Sequence, residues 1–186
     1  QNSGSEIGIK SVVASILGSY RGYDTMLETL VILIGGIGVL LISGASIKIE
    51  QYSDQFIAIT ARIMFPIIAL FALYIQANGE NSPGGGFQAG AIMATIFITY
   101  ALANGKLSLL NLISFSSLKI IAISGVILYF SVGLISFIAG GEFLNYNFVF
   151  SQSIGITIIE FGVGLTVAAT IILIYIGISN ASDESI

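Results

Sequence analysis

The chain contains no cysteine and no histidine among its 186 residues. Disulfides, thiolate chemistry and cysteine-held iron–sulfur clusters are thereby excluded within it, as are imidazole metal sites. Any internal proton relay has to run through carboxylates, hydroxyls, backbone groups or water. Charge is scarce as well: Lys, Arg, Asp and Glu make up 9% of the residues, against about 25% in a soluble domain. The formal net charge of -4 says less than the positions of those few charges. No zinc-ligand set, nucleotide loop or nucleophile arrangement is visible, and Gly84, Gly85 and Gly86 lack the spacing and following lysine of a phosphate loop. The expectation is a protein with no catalytic site, cofactor or metal of its own. The opening QNSGSE has neither the basic region nor the initiator methionine of an intact signal sequence, which points to a processed or trimmed start, or to a piece of something longer.

What the chain has in abundance is apolar surface, 55% of residues with a mean hydropathy of +0.99. Water is not its main solvent. The composition and length define an all-α polytopic membrane protein of about five transmembrane helices joined by short loops. The polar residues 1–7 precede Ile9, Val12, Val13, Ile16 and Leu17, whose helical spacing reads as an N-terminal interfacial helix. Spans are expected at about 25–43, 56–75, 82–103, 117–138 and 153–176, with a polar connection at 44–55 and a short interfacial run at 107–115. Gly140 and Gly141 close the fourth span, and Tyr146, Phe148 and Phe150 in the loop beyond it read as interface anchors. The chain divides accordingly into 1–24, a polar start with its interfacial helix; 25–55, the first span and connection; 56–180, a four-helix membrane domain; and 181–186, a flexible tail.

The break between the second and third spans, Ser82, Pro83, Gly84, Gly85, Gly86 and Phe87, stands out. Ser82 reads as a cap and Pro83 as the first turn of a helix, while the glycines permit close approach of backbone. Gly86, Gly90 and Ala94 follow at intervals of four and make a smooth stripe for a neighbouring helix, as do Gly35, Gly36 and Gly38 in the first span. Asp24 and Glu28 share a helix face and repel, more strongly when dehydrated. Arg62 places a permanent charge in the second span at the turn that Pro66 opens. Glu160 lies about 10 Å into the fifth span, where an unpaired carboxylate costs a few kcal/mol. With five spans, odd and even counting sends Glu28, Glu80, the glycine turn, Glu142 and Glu160 toward one membrane face and Arg62 toward the other. The acidic mouth can attract Na⁺ or H⁺, or pair with neighbouring subunits. A small excess of basic residues, Lys48, Lys106 and Lys119, assigns the opposite side to the cytoplasm.

Arg62 and Pro66, then NGENSPGGGFQAG at 78–90 and IIEFGVG at 158–164, resemble the MrpB-type subunit of multisubunit Na⁺/H⁺ antiporters and its relatives in membrane-bound hydrogenase complexes. Upstream, YRGYDTMLETLVILIGGIG at 20–38 resembles the short domain at the carboxyl end of the large MrpA-type subunit. The resemblance implies an accessory inner-membrane subunit, without its own catalytic site, that contributes to assembly and to a proton or sodium pathway. Its partners would be other membrane subunits, Na⁺ or H⁺, and lipid, with no nucleic acid. It makes Glu28, Glu160, Asp24 and Arg62 the ion-pathway candidates, and Ser82 to Phe87 with Gly90 the structural turn. Two positions depart from the family pattern: Glu80 where histidine is common, and Glu160 where aspartate is usual. A redox-driven relative or a purely structural assembly subunit is the alternative.

Overall fold

The computed structural model describes residue 16 and residues 22–43, 55–79, 84–146 and 151–182, the side chains of 55 and 180–182 excepted. Among these lie α1 (Gly22–Ile42), α2 (Gln55–Ala77), α3 (Gly86–Asn104), the short α4 (Lys106–Leu112), α5 (Phe115–Ile138) and α6 (Gln152–Ser182). Five of them, all but α4, are long and apolar enough to cross a membrane. The protein is thus an all-α polytopic membrane protein, with no strand among the described residues. The expected interfacial helix at 9–17, the connection at 44–54, Glu80, Ser82, Pro83, Phe148, Phe150 and the last four residues fall outside the described residues, apart from Ile16.

Helix α6 is the axis of the bundle, with α1, α3 and α5 packed along it and α2 packed mainly on α3 and touching α6 only at a few positions. In its spanning window 61% of residues are buried, against 11% in α1 and 17% in α2. Lipid tails are as apolar as leucine side chains, so helices associate in a bilayer where small residues let backbones approach and where polar groups find partners. Both devices appear. Gly125 of α5 meets Gly162 and Thr166 of α6, and the Thr166 hydroxyl donates to the Ala122 carbonyl at 2.9 Å. On the α3 side, a Cβ at Gly90 would stand 2.6 Å from the Gly164 carbonyl oxygen, and Ala94 is fully buried. The stripe Gly86, Gly90, Ala94 is therefore the face that α3 lays on α6.

Helix α1 departs from its expected packing. Its buried residues are Gly22, Thr29 and Gly36, and Ser43 just beyond it is buried as well. These positions are seven apart, the period of a narrow left-handed seam. Only Gly36 of the expected glycine trio meets a neighbour, the methyl of Thr170, while Gly35 and Gly38 face open space. Pro66 leaves α2 continuous from Gln55 to Ala77; the missing amide is absorbed without ending the helix.

The loop after α5 folds back instead of lying flat at the interface. Gly140 turns it with φ of +93°, Phe143 covers Gly133, and Tyr146 is fully buried against Gly155. Tyr129 donates to the Gly22 carbonyl at 2.7 Å, tying α5 to the start of α1. Tyr146 is thus a core residue, not an anchor, and burial pushes its phenol above its ordinary pKa range. At the far side, Lys106 is buried and its Nζ donates to the Ser179 carbonyl at 3.1 Å, near the end of α6 where a cation suits the dipole.

Candidate functional site

The third span begins three residues later than the sequence suggests. Helix α3 starts at Gly86, and the residue before it is Gly85, with φ +133° and ψ 179° and no side-chain cap. That conformation is open almost solely to glycine. The Ala89 amide closes the first turn on the Gly85 carbonyl at 3.1 Å, so the amides of residues 86–88 have no intrahelical acceptor. Just upstream, α2 ends and Gly79 comes to lie beside Gly85: a Cβ at Gly79 would be 3.2 Å from the Gly85 Cα. The backbone is folded tightly here because no side chain intervenes.

Glu160 occupies the space that those missing side chains leave. Its Oε2 lies 2.7 Å from the position a Cβ would take at Gly79, and its Oε1 3.1 Å from that at Gly85. Its backbone carbonyl fills the Cβ position of Gly86. The carboxylate of α6 therefore sits at the amino terminus of α3, where the helix dipole favours a negative group by about 0.3–1 kcal/mol. The side chain is half-buried.

Beside it opens a cavity of about 110 Å³ between α1, α6 and the start of α3. Glu28, Thr25 and Thr29 line it from α1, Ile159, Glu160 and Val163 from α6, and Gly84 to Gln88 form its third side. That is room for several water molecules or a hydrated cation. Thr29 is buried and its hydroxyl donates to the Thr25 carbonyl at 2.8 Å, which leaves the oxygen's two lone pairs to accept. Two carboxylates and hydroxyl oxygens make an environment that can bind water, a proton or a small cation, while the helix amino terminus offsets part of the negative charge of Glu160. Among the described residues no three His, Cys, Asp or Glu side chains gather as a metal-ligand group.

Of the residues singled out from the sequence, Glu28, Glu160, Gly84, Gly85, Gly86 and Phe87 are brought together at this cavity. Gly90 lies one turn further along α3, on Gly164. Asp24 is exposed one turn before Glu28 and does not line the cavity. Arg62 is not part of the site. It is exposed on α2, about 25 Å of helix away from Gly79. Ser82 and Pro83 lie outside the described residues. Gly79, Thr25 and Thr29 belong to the site but were not singled out; Gly79 was legible only as part of the NGENSPGGGF string, and a threonine one turn from a glutamate carries no distinctive signal.

The fold defines a polytopic membrane protein, with two carboxylates, Glu28 and Glu160, lining one cavity between its long apolar helices. The chain belongs to the family described as a domain related to the MnhB subunit of the Na⁺/H⁺ antiporter, which matches residues 56–173. The B-type subunit of the Na⁺/H⁺ antiporter of Bacillus subtilis is 28% identical over 138 residues, covering 66% of this chain and 96% of that protein. Among solved structures, the Mrp complex from Dietzia sp. DQ12-45-1b matches with a TM-score of 0.74 and 25% identity, over 95% of this chain and 22% of that chain. The membrane-bound sulfane sulfur reductase, an archaeal respiratory membrane complex, matches with a TM-score of 0.72 and 29% identity, over 91% of this chain and 80% of that chain. The protein is thus a membrane subunit related both to the antiporter family and to membrane-bound redox complexes.

Proposed function

We propose that this chain is an accessory subunit of a multisubunit Na⁺/H⁺ antiporter in the cell membrane, and that the cavity under the glycine turn is a station on its proton or sodium pathway. The observation that carries this reading is the sharing of one cavity by Glu28 and Glu160, from helices α1 and α6. Glu160 holds the cation or proton at the amino terminus of α3, and Glu28 receives it from the mouth. The turn glycines keep side chains out of the path. Chemistry in the parent complex resides elsewhere, so the subunit works without a catalytic site of its own. Residues 25–55 correspond in this reading to the short domain ending the large MrpA-type subunit.

The test is antiport in membrane vesicles carrying the whole complex. Glu160→Gln and Glu28→Gln are expected to leave assembly intact on native gels while lowering Na⁺-dependent proton exchange about ten-fold or more, as loss of a pathway carboxylate should. Unchanged exchange in an intact complex would sink the pathway role. The resemblance to the archaeal respiratory complex favours a second reading, the same subunit in a redox-driven assembly. Mass spectrometry of co-purifying subunits separates the two, since peripheral metal-binding subunits belong to the second alone.

A further inference from the structure

Helix α2 carries one charged residue, Arg62, seven positions past its first residue and so about 10 Å inside the helix. The guanidinium is exposed and has no hydrogen bond or ion pair within the described residues. Ile59, Arg62, Pro66 and Leu70 recur every three or four residues and are all exposed, so they form one stripe facing away from α3 and α6. Because Pro66 has no amide hydrogen, the Arg62 carbonyl on this stripe lacks its helical donor. A permanent cation and an undersupplied acceptor thus stand side by side on a bilayer-facing surface, and hydrocarbon satisfies neither.

We propose that this stripe docks a transmembrane helix of a different subunit, one that presents a carboxylate to the Arg62 guanidinium. A lipid phosphate can accept from the guanidinium but has no hydrogen to give the Arg62 carbonyl; a polar protein helix can do both. A second copy of this chain lying parallel does not fit either. The carboxylates of its own spans, Asp24, Glu28 and Glu160, lie in the opposite half of the membrane from Arg62. Arg62 is accordingly a docking residue, about 25 Å of helix from Gly79 beside the carboxylate cavity, and the inference rests on the reading of the chain as part of a multisubunit complex.

The test uses the full chain in its native membrane complex, extracted in mild detergent. Arg62→Glu is expected to reduce the share of chain migrating with the large assembly about ten-fold or more. Cysteines at Phe65 and Phe97, whose rings lie 6.1 Å apart between α2 and α3, report whether the Arg62→Glu bundle is still folded; the chain's lack of cysteine makes that background clean. A photoreactive residue in place of Ile59 is expected to crosslink to a spanning helix of another subunit with Asp or Glu within about one turn, and reversing that acid to Arg should restore assembly of Arg62→Glu. Assembly of Arg62→Glu at the normal level overturns the proposal while leaving the subunit reading intact, as do crosslinks confined to lipid or to a second copy. A wild-type chain that migrates with no other membrane subunit overturns both.

Discussion

Gly85 shows how one residue type can be required twice over. Its φ of +133° disfavours any side chain, and a Cβ there would press within 3.1 Å of Glu160 Oε1. Gly85→Ala is therefore expected to destabilise the extracted protein by about 1–3 kcal/mol, a strained backbone position, read as a lower thermal midpoint in detergent. Gly35→Ala is the matching control: nothing lies within 4 Å of its Cβ position, and alanine is the better helix former by about 1 kcal/mol, so the midpoint should hold or rise. The sequence marked both glycines alike. Positive φ and the proximity of a carboxylate belong to the folded chain, and local composition does not encode them. Glu160 was legible for a different reason: a carboxylate inside an apolar run violates the surrounding pattern, and such violations are visible without a structure. Arg62 was visible in the same way, and odd and even counting already set it toward the opposite membrane face from Glu160.

At the scale of the element, the spans themselves were legible and their roles were not. Four of the five spanning helices share the same window hydropathy of 2.3, so nothing in apolarity distinguishes the buried α6 from the exposed α1. The difference lies in where small residues fall. In α1 they fall seven apart at Gly22, Thr29, Gly36 and Ser43, hidden beside the more conspicuous Gly35 and Gly38. The start of α3 was misplaced for a related reason, because proline and serine are good opening residues in general and here Gly85, with its φ of +133°, took that position. The seam predicts a specific crosslink. A Cβ at Gly177 would lie 3.5 Å from Ser43 Oγ, within the reach of a disulfide, so the Ser43→Cys, Gly177→Cys chain should form one readily in oxidised membranes. Adding Gly36→Leu should abolish it, since the Gly36 Cβ position already meets the Thr170 methyl. A crosslink that persisted would mean that α1 does not depend on that seam.

For the whole molecule, an odd number of crossings places Glu142 and the cavity on one side and the turn before α5 on the other. Cysteine introduced at Glu142 or at Ser114, both exposed, should therefore react with a membrane-impermeant maleimide from opposite faces of sealed vesicles. By the small excess of lysine on the Ser114 side, that side is the one expected to label from the cytoplasm. Labelling of both from one face would remove the topology on which the acidic mouth depends. The odd count was available from the sequence, since it needs only the number of long apolar runs. That the mouth is a cavity with α6 as its floor was not, because it follows from contacts between segments more than a hundred residues apart.

Helix α6 touches α1, α2, α3 and α5 and also bears the acid at the cavity. A shaft in contact with every other spanning rod transmits displacement to all of them, whereas α1, the least buried of the spans, is held along one narrow strip. In the proposed pathway, an ion at residue 160 would therefore act on the most heavily braced part of the protein.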